Sequence, residues 1–394
     1  MNIEKNAVLI LLGKLDKFVE NNSQDVSKGH LLIYHSLEVA AVTLKLWNMT
    51  VPPKIKLKFL KSFDNIADFP KFIAFFASLH DIGKITPMFQ ELFFKKNEAY
   101  RTNLKNQNLL TTNINVLKRV HHSILSYSCL GDPLLFDLFG NREIIKNHFQ
   151  TRGLTFGNWL GKVLAAHHGV FHNSIVLNQR LNTEKGNSAW AQLRSCFSSI
   201  LFQIICKDDF DSLLNVVIRF ENLIIDEISE NPIDKSPSFS PIPLAVWLAG
   251  LICVADWIAS NPEFFPYHQE HKNEEELLSY WDEAQVRAEN VIRDLSWELP
   301  PLKKDSWTFA NLFHFENTRP LQNLCLEIHQ DQPGCVIIEA PMGEGKTECA
   351  MFLAAKNEEA TNGCRGIYFA LPTQATSNQM FKRVKEFEIG RAHV

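Results

Sequence analysis

FFASLHDIGKITPMFQ, residues 75–90, decides how the long N-terminal part of this chain folds. The aromatic-rich run before the His80-Asp81 pair buries one face of a helix, so the pair is delivered to the edge of an apolar interior. A carboxylate has two oxygens, so Asp81 can bridge two cations while His80 holds one of them through a ring nitrogen. Such a mixed His/Asp set suits borderline transition metals better than calcium. Taken alone, the pair equally describes a satisfied core histidine beside a solvated aspartate.

Repetition changes that balance. His35 stands in YHSLEVA (34–40), His122 follows His121 just ahead of SILS, His167-His168 close AAHHGV (165–170), and Asp256 lies in VADWIAS (254–260). Each sits within or at the end of an apolar helical run. Burying this many imidazoles and carboxylates without partners costs several kcal/mol. A shared divalent cation removes the cost.

Around these motifs, apolar residues recur at three- and four-residue spacing, as in HLLIYHSLEVAAVTLKLW (30–47) and GNWLGKVLAAHHGV (157–170). The expected fold is an all-α domain over residues 1–265, then a helical connector over 266–305 containing EEELLSYWDEAQVRAENVIRDL (274–295). Over residues 306–387 the pattern changes to a partial α/β lobe. GCVIIEA (334–340) reads as a strand, ECAMFLAAKNEEA (348–360) as a helix and RGIYFALPT (365–373) as a second strand parallel to the first. Between them, APMGEGKT (340–347) is a phosphate-binding loop whose first glycine is replaced by Ala340. Its backbone N–H groups, at Gly343 and Gly345 among others, would cradle phosphates. Lys346 would reach the β and γ oxygens, and Thr347 would hold Mg²⁺.

Composition sets limits. At 394 residues and 45% hydrophobic content, more than one core is expected. A net charge of −4 excludes a molecule that is an electrostatic trap for nucleic acid throughout. Locally, residues 99–131 hold no acid but carry Arg101, Lys105, Lys118 and Arg119, a path a phosphate chain could follow to the histidines or simply a solvated loop. The eight cysteines form no C-x-x-C pair, as suits reduced thiols in the cytoplasm. No secretory signal is evident, and the apolar stretch 242–259 contains Asp256, so a buried helix is expected there and no membrane span.

The motifs HSLEVA, LHDIGK followed by FQ, VHHSILS, AAHHG and ADWIAS, in this order over about residues 15–265, resemble the HD nuclease domain of the CRISPR-associated helicase-nucleases of type I systems. The resemblance implies one divalent transition metal (of the Mn, Co, Ni or Fe class) on His35, His80, Asp81 and Asp256, and a second on Asp81, His122, His167 and His168. His122 is preferred to His121 because a small residue, Ser126, follows it by four. Asp81, Lys84 and Ser260 would then be catalytic, the latter two near the scissile phosphate. The Ala340 variant of the loop resembles superfamily 2 helicases, with Gln322 of Arg319-Pro320-Leu321-Gln322 reading adenine and ALPTQATSNQMF (370–381) contacting DNA. ATP and Mg²⁺ are the implied ligands there.

The expected activity is hydrolysis of single-stranded DNA in antiviral defence, with recruitment by a Cascade-type CRISPR surveillance complex. It should collapse below about pH 6 as metal is lost from imidazoles of ordinary pKa about 6.5. Two rivals remain open: an HD phosphohydrolase of nucleotides or cyclic dinucleotides, and an inactive fragment that only binds nucleic acid. No D-E-x-H or D-E-x-D follows Thr347, so the motor is expected to be incomplete and ATP turnover negligible. The final EIGRAHV (388–394) is encoded by GAG ATC GGA AGA GCA CAC GTC, which from ATC onward matches a common sequencing adaptor, so a non-native tail is expected.

Overall fold

The protein is represented by a computed structural model, which describes residues 7–15, 29–62, 68–94, 98–106, 109, 119–130, 155–177, 181–229, 241–268, 274–298, 308–313, 315, 317–328, 335–361, 369–370 and 380–385. The chain divides into two compact units, residues 1–50 with 58–297 and residues 51–57 with 298–394.

The first unit opens with an antiparallel hairpin, β1 (Leu12–Leu15) and β2 (Gly29–Leu31), in which Lys14 faces His30 beside an irregularity in register. β2 runs straight into α1 (Leu32–Thr50), whose residues from Leu32 to Thr43 are all buried. A helix covered on every side must be apolar on every side. The polar exceptions His35, Ser36, Glu38 and Thr43 therefore need internal partners. α2 (Phe69–Ser78) packs on α1 and sends Phe75 against Phe202 and Phe76 against Phe156, with ring centroids 5.1 Å apart in both pairs.

After α2 the chain tightens into a 3-10 turn (Ile82–Lys84) and then α3 (Pro87–Phe94). α4 (His122–Leu130) lies against that turn and α5 (Phe156–Ala165) against α4. α6 (Ser188–Cys206) backs α2. α7 (Pro241–Ala259) buries Leu244, Leu248, Ile252 and Ala255 but exposes Val246 and Trp257, as a helix on a core does. Among the described residues no helix is long and apolar enough to cross a membrane.

The segment that reads as a connector is α8 (Glu274–Asp294), and it packs on α1 within the first unit. Its Leu277, Tyr280, Ala284, Ala288, Val291 and Ile292 form a buried stripe at helical spacing, so burial outweighs its high charge.

In the second unit, α9 (Phe309–Phe313), α10 (Pro320–Glu327) and α11 (Lys346–Thr361) enclose a small core around Phe309, Cys325, Cys349 and Phe352. Residues 335–340, expected as a strand, have no ladder partner among the described residues, and Ile337 is 80% exposed. A strand is defined by its neighbour, and the neighbour expected at 365–373 lies almost wholly outside the described residues. Lys118, most of 370–381 and the 388–394 tail also lie outside them.

Candidate metal centre

Two imidazoles are set by helix ends. α2 stops at Ser78, and His80 turns its Nδ1 onto the carbonyl of Ala77 at 2.9 Å. α5 stops at Ala165, and His167 turns its Nδ1 onto the carbonyl of Leu164 at 2.5 Å. The last carbonyls of a helix have no partner within it, so they are free to accept. A carbonyl cannot donate, so each Nδ1 carries the hydrogen and each Nε2 keeps its lone pair.

Those lone pairs face Asp81. Its Oδ2 lies 3.2 Å from His80 Nε2 and 3.7 Å from His35 Nε2, while its Oδ1 lies 3.2 Å from His122 Nε2 and 3.8 Å from His167 Nε2. One carboxylate thus presents an oxygen to each of two imidazole pairs. Asp256 closes the first pair, with Oδ1 3.1 Å from His35 Nε2 and 3.8 Å from His80 Nε2, and accepts the Ser260 hydroxyl at 2.9 Å. At the exposed edge His168 Nε2 lies 3.0 Å from His122 Nε2. All seven ligands expected from the sequence are therefore brought together. His121 is a neighbour whose Nδ1 contacts the Ser123 hydroxyl at 2.8 Å.

The donor set fits divalent cations. His35 Nε2, His80 Nε2, His167 Nε2 and Asp81 Oδ1 are buried with no hydrogen-bond partner, an arrangement whose cost an ion would remove. The groups His35/His80/Asp81, Asp81/His122/His167 and His167/His168/Asp256 each place their ligand atoms within 4.8 Å of one another. Burial pushes His122 down to about 2 and His167 down to about 3, which keeps both rings neutral. Burial would raise the Asp81 pKa, but the Lys84 ammonium and then His80 hold it well below the carboxylate range.

Lys84 itself is buried. Its Nζ lies 2.6 Å from Asp81 Oδ2 and donates to the Gly13 carbonyl at 3.2 Å. A residue the sequence offered only as the flank of an apolar run, Lys14 on β1, is half-buried with its charge felt by Asp256 and Asp81; burial lowers its pKa. Gln90, the end of the opening stretch, is a stitch: its amide donates to the carbonyls of Leu12 (3.0 Å) and Lys84 (2.9 Å), and its oxygen accepts from Tyr100. Ser126 explains the small residue after His122, since its hydroxyl donates to His80 O at 2.7 Å and accepts Gly83 N–H at 3.0 Å.

The second unit holds a cavity of about 620 Å³ lined by Arg319, Gln322, Gly343, Gly345, Lys346 and Thr347. Gly343 and Gly345 have φ of 87° and 82°, which lets the loop curl before α11. Lys346 Nζ donates to the carbonyls of Ala340 and Pro341, and Gln322 Oε1 accepts from Arg319 N–H at 2.9 Å.

The family model described as "Cas3, HD domain" matches residues 13–265. The chain belongs to this family. A CRISPR-associated nuclease/helicase Cas3 of Streptococcus thermophilus is 30% identical over 327 residues, covering 79% of this chain and 31% of the relative. A CRISPR-associated protein of known crystal structure matches 99% of this chain and 38% of its own with TM-score 0.66 and 28% identity. A chain in a CRISPR RNA-guided surveillance complex, pre-nicking, shares the fold with TM-score 0.53 at 23% identity, over 96% of this chain and 38% of that one. The chain spans about a third of the length of the curated Cas3 relatives it matches.

Proposed function

We propose that this chain is a metal-dependent nuclease that hydrolyses phosphodiesters of single-stranded DNA in a type I CRISPR defence system. The observation that carries the reading is the convergence of partnerless buried Nε2 atoms on the two oxygens of Asp81. One cation would sit on His35, His80, Asp81 and Asp256, the other on Asp81, His122, His167 and His168. Bound there, two divalent cations supply Lewis acidity that lowers the pKa of a water from about 15.7 toward about 7 and offsets charge on the attacking and leaving oxygens.

The chain's own residues prepare this. The Ala77 and Leu164 carbonyls fix two ligand tautomers, Lys84 offsets the charge of Asp81, and Ser260 fixes the orientation of Asp256. His168, which is exposed, and the partly open His122 mark the side from which a strand enters. In the second unit, Lys346, Thr347 and Gln322 around the cavity suit ATP with Mg²⁺, a ligand for the motor lobe of a longer protein. The surveillance complex that holds a chain of the same fold supports a Cascade-type partner.

The test loads metal-stripped protein with Mn²⁺, Co²⁺, Ni²⁺, Fe²⁺ or Mg²⁺ in turn. Bound metal is measured by elemental analysis, and cleavage is measured on single-stranded DNA, nucleoside triphosphates and cyclic dinucleotides. Two metals per chain with cleavage of DNA, lost in Asp81→Ala, is expected. Metal-free protein that digests DNA normally, or hydrolysis confined to cyclic dinucleotides, would sink the reading.

A further inference from the structure

We infer that Glu38 is the positioning residue for His35, and that His30 and Tyr280 hold Glu38 in place for that task. The inference rests on the metal reading above. His80 and His167 have their Nδ1–H groups fixed by main-chain carbonyls freed at helix ends. His35 has no such carbonyl, because it lies inside α1, where the helix engages its own carbonyls. Its Nδ1 makes no hydrogen bond, and Glu38 Oε2, one turn further along the same face, lies 3.8 Å away. A ligating imidazole ordinarily donates its other ring N–H to a carboxylate or carbonyl, which sets the tautomer and the ring orientation.

Glu38 is itself held from two sides and is fully buried. His30 Nδ1 accepts the main-chain N–H of His268 at 3.0 Å, so its hydrogen is on Nε2, which donates to Glu38 Oε2 at 2.9 Å. Both nitrogens of His30 are engaged, which removes it as a ligand. The Tyr280 hydroxyl donates to Glu38 Oε1. Tyr280 stands on α8 with its ring edge-on to Tyr34 and His268, at 4.7 and 4.5 Å between centroids. It lies beyond residues 13–265, so the support of the metal centre extends past the segment that the family model covers.

The experiment strips the full chain of metal and titrates it with Mn²⁺ by calorimetry, well below the unfolding temperature of each variant. Imidazole nitrogen shifts of His35 are read in parallel by NMR. Glu38→Gln should weaken the step that involves His35 by about 10- to 100-fold and shift that ring toward a mixture of tautomers. Tyr280→Phe, which removes one hydroxyl and is the milder variant should Glu38→Gln fold poorly, should move both readouts the same way by less. Lower melting temperatures with unchanged Mn²⁺ affinity and an unchanged His35 spectrum would overturn the inference and leave Glu38 as packing. A wild-type chain that takes up no Mn²⁺ would instead overturn the metal reading and this inference with it.

Discussion

Asp81 gives one carboxylate oxygen to each imidazole pair, so its loss is felt on both sides at once. Asp81→Asn should reduce bound metal to background in elemental analysis, whereas His168→Ala, at the exposed rim, should retain part of it. The same Asn strips the buried Lys84 ammonium of its charged partner, which should destabilise the metal-free protein by on the order of 3 kcal/mol in chemical unfolding.

Acid acts on the same residues. Unfolding returns His122 and His167, pushed by burial down to about 2 and about 3, to their ordinary 6.5. The unfolded chain then binds more protons below about pH 6.5, so folded stability falls as pH drops from there. Burial raises the Glu38 carboxyl, but His30 pulls it down to about 2, so its contribution is full above about 4.5 and fades as pH falls toward 2. His80 works the other way, since Asp81 outweighs burial and raises its pKa. Two depressed histidines and a depressed carboxylate outweigh it. The unfolding midpoint of metal-free protein should decline steadily from pH 6.5 to pH 4, and a flat profile would refute this. Neutrality of these two rings also moves their loss of metal below the onset near pH 6 that ordinary imidazoles imply.

At this scale the ligands were legible because His and Asp inside apolar runs demand a reason. Glu38 and Tyr280 were not. Glu38 reads as a routine helix acid, and Tyr280 sits in a stretch dominated by charge, so only their burial exposes the link between them. Lys84 was legible as a residue of the site, but not its contact with Asp81 and the Gly13 carbonyl.

Among the elements, the closest approach is α4 against the 3-10 turn. A Cβ on Gly83 would meet His122 O at 2.2 Å and Ser126 N at 2.4 Å, both of them backbone atoms that cannot swing aside. Gly83→Ala should therefore push α4 and His122 away from Asp81. It should cost about 1 to 3 kcal/mol of stability and lower metal affinity, measured by unfolding and calorimetry. Gln90→Leu should cost a comparable amount through the stranded partners Tyr100, Leu12 O and Lys84 O, with bound metal largely kept. The glycine was visible in the sequence as part of HDIGK, but not its reason, since α4 meets the turn from about forty residues away, a spacing with no periodic signal.

For the whole molecule, two compact units with separate ligand chemistries should respond to ligands separately. In calorimetric melting, Mn²⁺ should raise the transition of the first unit and ATP that of the second, each by about 2.7 kcal/mol of stabilisation at a hundred times its Kd. Gly345→Ala should abolish the ATP response alone. Its φ of 82° strains any other residue, and an added Cβ would meet Gln322 Nε2 at 2.7 Å. Helical spacing disclosed the first unit well, whereas the hairpin of β1 and β2 escaped because its strands are only four and three residues long. Residues 335–340 show the reverse: a strand-like composition whose pairing depends on residues elsewhere.

His80 and His167 each borrow a carbonyl that exists only because a helix ends two residues earlier. Fraying of either terminus would therefore let the imidazole spin and release its ion in the same event. Amide hydrogen exchange at His80 and His167 should slow on loading, making these two N–H groups local reporters of occupancy.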